Sequence, residues 1–219
     1  MNVIVFGATG GSGRAAVQHL LAMGHEVSAF TRRTDVVLPA GTRLIQGDVM
    51  NAPAVEAAVA GHDAVIVTLG ITENPLRVRF FGPAHTPLDV RSTGTRHIIA
   101  AMRVHGIRKL VVQTTYGVGD TRDKLGFADR LFFSLVLKPQ ILDSEVQNAD
   151  VIASGLDWVL IQPVHLTDHA AAELPFSSTS GEIVKLQVSR NSVGRFIAQA
   201  VQRPELVGKS VSVSGPAAV

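Results

Sequence analysis

The strongest constraint on the fold lies at residues 3–23. A short apolar run, Val3-Ile4-Val5-Phe6, leads into Gly7-Ala8-Thr9-Gly10-Gly11-Ser12-Gly13, and a helical pattern follows from Arg14 to Met23. Consecutive apolar residues suit a strand buried on both faces of a parallel sheet. The spacing is G-x-x-G-x-x-G. Gly7 permits a tight turn out of the strand, Gly10 lets backbone approach a pyrophosphate, and Gly13 lets the helix pack close to the sheet. The helix start offers free N–H groups and the positive end of a dipole to phosphates. Thr9 and Ser12 add hydroxyl donors, and Gly11 and Arg14 belong to the same segment. Strand, glycine turn and helix in this order are the context that a dinucleotide fingerprint requires.

The rest of the chain repeats the unit. Strands are expected at 26–30, 43–46, 63–69, 108–115 and 157–164, with further ones at 182–188 and 209–214. Helices are expected at 53–60, 88–105 and 191–203, the last capped by Asn191 or Ser192. Residues 125–154 read as mainly helical, broken at Lys138-Pro139, and 167–180 as irregular. The segment 70–87 carries Pro75, Gly82, Pro83 and Pro87 and reads as a loop. Alternating strands and helices predict an α/β, Rossmann-like doubly wound parallel sheet with helices on both faces. Residues 117–150 and 165–190 are expected to form a small substrate lobe over the carboxyl ends of the strands. With no linker and no fixed repeat, residues 1–219 read as a single domain.

Composition narrows the function. The chain is 46% hydrophobic and 17% charged, which excludes a disordered segment. It has no cysteine, so disulfides, thiolate nucleophiles and Cys-ligated metals are excluded. Twenty basic residues against 18 acidic ones form no clustered basic stretch, so nucleic acid is not an expected partner. No apolar run reaches the roughly 18 residues of a membrane span. No signal peptide is evident, and a cytoplasmic protein, monomer or homodimer, is expected. His165 and His169 stand four apart with Asp168 between them, but no helix pattern surrounds them, and no metal site is expected.

The second strand decides the cofactor. An NAD site offers a carboxylate at its end, about 20 residues beyond the glycines. Here the strand ends Phe30-Thr31-Arg32-Arg33-Thr34, with no carboxylate before Asp35. Guanidiniums there suit a 2′-phosphate, and NADP is expected, with Arg32 nearer the strand end than Arg33. Asp48 and Val49 follow the third strand, on the adenine side. Leu69 and Gly70 end the fourth strand, Thr114 and Thr115 the fifth, and Pro163, Val164 and His165 the sixth. All lie at carboxyl ends of parallel strands, where open α/β sheets bind ligands.

These blocks together resemble a known family. GATGGSGR at 7–14, GDV at 47–49, AVIVTLG at 64–70, KLVVQTT at 109–115 and SGLDWVLIQP at 154–163 look like the atypical short-chain dehydrogenase/reductases. Within these the chain is similar to the NAD(P)-binding, NmrA-like group that includes biliverdin-IXβ/flavin reductase. The resemblance covers nearly the whole chain. It implies a Rossmann fold and an oxidoreductase that uses NADPH to reduce flavins, quinones or tetrapyrroles, or else a redox sensor that only binds the cofactor. It places Gly7, Thr9, Gly10, Ser12 and Gly13 on the phosphates, Arg32 on the 2′-phosphate, and Asp48 and Val49 on the adenine. Thr115 falls at the active-site end of the fifth strand, and Pro163 and His165 in the block lining the nicotinamide.

The catalytic pair most short-chain dehydrogenases use, Tyr-x-x-x-Lys, is absent. The one tyrosine, Tyr116, is followed four residues on by Asp120. A carboxylate there raises a phenol's pKa rather than lowering it. Two readings survive. One is an NADPH-dependent reductase of a small-molecule flavin, quinone or similar conjugated acceptor, with Thr115, Tyr116 and His165 as nearby polar groups. The other is a non-catalytic NADP(H)-binding sensor. A nucleotide-sugar-type epimerase or isomerase ranks below both, because it wants the missing pair. Lys124 and Lys138 are candidates for an unusual ribose contact, and His85 for a substrate contact. The Arg77, Arg79, Phe80, Phe81 cluster suits a substrate lid, a partner contact or a loop packed on the core, and the apolar stretch 131–137 suits core or lobe packing, a wall over the nicotinamide or a dimer contact.

Overall fold

In the computed structural model the described residues are 1–71, 73, 77, 80, 82–126, 137–169 and 173–216. Arg79, Phe81 and the stretch 131–136 lie outside them. Eight strands form one sheet in the order β3-β2-β1-β4-β5-β6-β10-β8. They are β1 (Asn2–Phe6), β2 (Glu26–Thr31), β3 (Thr42–Gln46), β4 (Ala64–Val67), β5 (Lys109–Gln113), β6 (Asp157–Pro163), β8 (Phe176–Ser178) and β10 (Lys209–Ser214). All neighbours pair parallel except β8, which runs antiparallel to β10 at the edge. The fold is the Rossmann-like α/β sheet read from the sequence, and the order reverses between β1 and β4, where such sheets bind ligands.

The alternating face of each strand sorts the core. Val3, Val5, Ile66, Val111 and Ile161 face helices α1 (Gly11–Ala22) and α5 (Arg190–Ala200). Ile4, Phe6, Val65, Val67, Leu110 and Leu160 face α2 (Ala52–Val59), α3 (Val90–Val104) and α4 (Lys138–Ile152). A period of two places successive side chains on opposite faces, so continuous apolar runs are needed when both faces are covered.

Three expectations are corrected, and a fourth falls partly outside the described residues. Residues 182–186 form no strand; β9 is Gln187–Ser189, paired in a separate small sheet with β7 (His165–Thr167). The stretch 167–180 is not wholly irregular, because β8 runs within it. Lys138-Pro139 opens α4, and the stretch before it, 127–136, lies outside the described residues. Proline is tolerated in a first turn, where its missing N–H has no partner to lose. The cap of α5 is Ser189, whose hydroxyl accepts from the Ser192 N–H at 2.9 Å.

One buried group makes stability depend on pH. His62 lies 2.9 Å from Ser28 Oγ and 3.2 Å from both the Val59 carbonyl and the Arg43 guanidinium. Burial holds its pKa below the ordinary 6.5; Arg43 adds to the shift, while Val59, Ala60 and Asp63 oppose it. The unfolded chain therefore takes up a proton near pH 6.5 that the folded chain does not. The contribution is complete above that value and is lost as pH falls below it. Urea midpoints are expected to drop below pH 6.5, and His62→Gln to flatten that drop. An unchanged profile in the variant would assign the acid sensitivity elsewhere.

Candidate cofactor and substrate cleft

The carboxyl ends of β1, β2, β4, β5 and β6 open onto one cleft of about 790 Å³. Its floor begins at the glycine turn. Gly7 has φ +84°, and a Cβ there would stand 2.5 Å from the Thr68 carbonyl oxygen, so only glycine fits. A Cβ at Gly13 would overlap the Gly7 carbonyl, which is how α1 comes so close to β1. Gly10 differs. Its backbone is extended, and an added Cβ would meet only the Gly7 carbonyl oxygen, at 3.4 Å. The missing side chain there leaves room in the cleft, not in the core.

The start of α1 is bare. Gly10 supplies no side-chain cap, and the first turn holds no acidic residue. By contrast, Asn51 caps α2, Ser189 caps α5, and Asp143 on α4 accepts from the Arg91 and Ser92 N–H groups of α3 at 3.0 and 3.1 Å. An uncapped helix start aimed at a cleft suits a phosphate.

At one end, Arg32, Arg33, Asp48 and Val49 all line the cleft. Arg32 Nη1 donates to the His85 carbonyl at 3.1 Å and lies 4.0 Å from an Asp48 carboxylate oxygen. Asp48 also accepts from the Met50 N–H at 2.9 Å. Arg33 pairs with exposed Asp35 at 3.4 Å. His85 does not line the cleft; its carbonyl accepts from Arg32 and its N–H donates to Glu73 at 3.1 Å, and both of those residues do. His97 on α3 hydrogen-bonds the Val49 carbonyl at 2.9 Å, and Gly94 lets α3 sit against Val49 and Leu69.

The opposite end is built from β5 and β6. Gln113, Thr114, Thr115, Pro163, Val164 and His165 line it. Gln113 Oε1 and Thr114 Oγ1 are buried without a hydrogen-bond partner among the described residues. Orphaned polar atoms on a cleft floor fit a polar ligand that would complete them. Tyr116 is only 4% exposed, and its hydroxyl donates to the Gly181 carbonyl at 3.1 Å. Burial raises its pKa.

Three sequence candidates sit elsewhere. Arg14 does not line the cleft; it is exposed, and its guanidinium donates to the Val37 carbonyl. Lys124 donates to the Ser180 carbonyl and Lys138 is exposed in the first turn of α4, so neither reaches the floor. Two cleft residues lack any sequence signal. Arg190 crosses the start of α1, where the absence of a Cβ on Gly11 makes room for it, and its Nη1 lies 2.7 Å from Asp168. Arg91 stands beside Gly70. Neither belongs to a motif, and folding alone brings them to the cleft. Among the described residues, no three metal-ligating side chains gather, and no helix is long and apolar enough to cross a membrane.

A parallel sheet with a glycine turn and a bare helix start at its switch point defines a nucleotide-binding α/β protein. More narrowly, the chain belongs to the NAD(P)H-binding family, whose model it matches over residues 7–204. A nicotinamide cofactor is therefore its ligand. Among curated proteins it is similar to a 2-alkyl-3-oxoalkanoate reductase of Stenotrophomonas maltophilia, 35% identical over 119 residues. That match covers 54% of this chain and 34% of the relative, so the chain spans about a third of that protein's length. Among solved structures, ChuY, an anaerobillin reductase from Escherichia coli O157:H7, superposes with TM-score 0.79 at 22% identity, covering 100% of this chain and 99% of that one. A short-chain dehydrogenase/reductase from Veillonella parvula in complex with NADP gives 0.73 at 15% identity, covering 98% and 94%.

Proposed function

We propose that the protein is an NADPH-dependent reductase acting on a flavin, quinone or similar conjugated acceptor. The observation that carries this reading is the state of Tyr116. The only tyrosine in the chain is buried, has a raised pKa and spends its hydroxyl on the Gly181 carbonyl. No lysine lines the cleft. Tyr116 is therefore not poised as a protein acid beside the substrate. A conjugated ring spreads the added charge and takes its proton from water, so binding and orientation suffice. Leu125, Leu137, Leu166 and Leu186 line the same cleft and suit a flat apolar ring.

Bound NADPH supplies the hydride. The chain's own residues hold it in order. The α1 start, with Thr9, Gly10, Gly11, Ser12 and Gly13, takes the pyrophosphate, and Arg32 and Arg33 face the 2′-phosphate. Asp48 and Val49 border the adenine, and Leu69 and Gly70 the path between. Gln113 and Thr114 offer their unpaired atoms to the ribose and carboxamide, while Thr115, Pro163, Val164 and His165 bound the nicotinamide. The solved Veillonella relative with NADP supports the choice of cofactor, and the anaerobillin reductase that of a conjugated acceptor.

Two variants test the assignments. A hydrogen bond to a charged group contributes about 1.5–3 kcal/mol. Arg32→Ala is therefore expected to weaken NADPH binding roughly 10- to 100-fold while leaving NADH unchanged, as read by titration of each. Equal loss for both would place the guanidinium on something other than the 2′-phosphate. Tyr116→Phe is expected to keep turnover with a quinone within about threefold and to lower stability by about 1 kcal/mol. A collapse of turnover would make Tyr116 the proton donor. The reading as a whole is tested by acceptor choice: conjugated acceptors turn over and simple ketones do not. The reverse preference would overturn it.

A further inference from the structure

Among the described residues, the Arg91 guanidinium has no hydrogen-bonded acceptor. Arg91 is the second residue of α3, partly buried in the cleft wall. Its guanidinium packs against Gly70; a Cβ there would be 3.0 Å from Nη2 and 3.5 Å from Cζ. Any larger residue at 70 would displace it. The guanidinium hydrogen-bonds no protein acceptor among the described residues. The carboxylate nearest in charge is Asp143, and both its oxygens already accept from the Arg91 and Ser92 N–H groups. Asp143 thus steadies the charge from a distance and leaves the guanidinium donors unused. Burial, the dominant influence, lowers the pKa of Arg91.

An arginine in a cleft with its fork of donors unspent is suited to an oxyanion. A buried charge left unpaired is also costly, so a ligand that pairs it gains on both counts. The anion's position follows from topology. The cofactor's phosphates belong at the start of α1, which packs on one face of the sheet. Arg91 belongs to α3, on the opposite face, beside the end of β4 and toward β5. Its neighbour across the cleft is α4, which presents Gln140 to the same space. Arg91 therefore borders Gly70 on the side of the cleft away from the α1 start.

We propose that Arg91 anchors a phosphate or carboxylate carried by the acceptor, so that the substrates are anionic conjugated molecules rather than neutral ones. The proposal rests on the reductase reading for the word acceptor, but its test is a binding measurement. FMN and riboflavin share a ring and differ in one phosphate; anthraquinone-2-carboxylate and 2-hydroxymethylanthraquinone differ in one carboxylate. Binding of each is titrated to the full chain saturated with NADP⁺, in wild type, Arg91→Gln and Arg91→Lys. A charge-assisted bond predicts that wild type prefers at least one charged member by about tenfold or more. Which pair shows the preference tells phosphate from carboxylate. Arg91→Gln is expected to reduce the preference to within about twofold, with NADP⁺ affinity changed less than about twofold. Arg91→Lys, a point charge without the fork, is expected to keep part of it.

No preference in wild type in either pair, or no binding of any of the four, overturns the proposal whatever the variants do. So does a preference that survives in Arg91→Gln. A parallel loss of NADP⁺ affinity also overturns it, because the anion is then the cofactor's own. Preferential binding without NADPH consumption would leave the anchor standing and remove the reductase.

Discussion

Gly10→Val is expected to abolish cofactor binding while the protein stays folded. The backbone at Gly10 is extended, with φ −74° and ψ 161°, a conformation any residue adopts. An added Cβ would meet nothing closer than the Gly7 carbonyl oxygen, at ordinary contact distance, so packing tolerates it. The branched side chain instead fills the cleft in front of the bare start of α1. A pyrophosphate held there by backbone N–H groups would lose several charge-assisted bonds at about 1.5–3 kcal/mol each. A loss of at least about 100-fold in affinity for NADPH follows, read by titration beside an unchanged circular dichroism spectrum. The neighbouring motif glycines behave otherwise: a side chain at Gly7 or Gly13 overlaps backbone, and those variants lose the fold as well. Full binding by a folded Gly10→Val protein would remove the phosphates from this turn.

Gly194→Val is expected to bring a large loss of stability. Gly194 lies on α5 where that helix crosses α1, and an added Cβ would stand 2.5 Å from the Ala15 Cβ and 2.7 Å from the Ala16 backbone nitrogen. Backbone cannot give way as a side chain does, so the helices must separate. Overpacking of this kind costs about 1–3 kcal/mol, and more where backbone is pushed. At about 3 kcal/mol, the upper end, and roughly 2–4 °C per kcal/mol for a domain of this size, the melting temperature should fall by about 6–12 °C. The same displacement moves Arg190 and the start of α1, so NADPH binding should weaken in the folded fraction. A melting temperature within about 2 °C of wild type would show that the helices part freely.

Much of the cleft was legible because it is written in local patterns. The strand ends were readable from continuous apolar runs, and residues at the carboxyl ends of parallel strands converge by topology alone. Thus Thr114, Pro163 and His165, far apart in sequence, could be placed on one cleft. What was not legible depends on contacts between distant segments. Arg91 and Arg190 open helices with no motif around them; their position follows from where α3 and α5 pack. Tyr116 stood at the right strand end for chemistry, yet its hydroxyl is held by Gly181, 65 residues on. Arg14 completed the motif in sequence, but its guanidinium donates to the Val37 carbonyl instead of lining the cleft. The edge strand β8 is three residues long in a serine-rich stretch, too short for periodicity to reveal.

The most direct measurement is NADPH consumption, followed by its absorbance, with FMN, riboflavin and a small quinone as acceptors and NADH in parallel. Turnover with NADPH well above that with NADH, on at least one of these acceptors, is the expected result. Tight NADPH binding with no consumption by any of them would contradict it and leave a protein that holds the cofactor without using it.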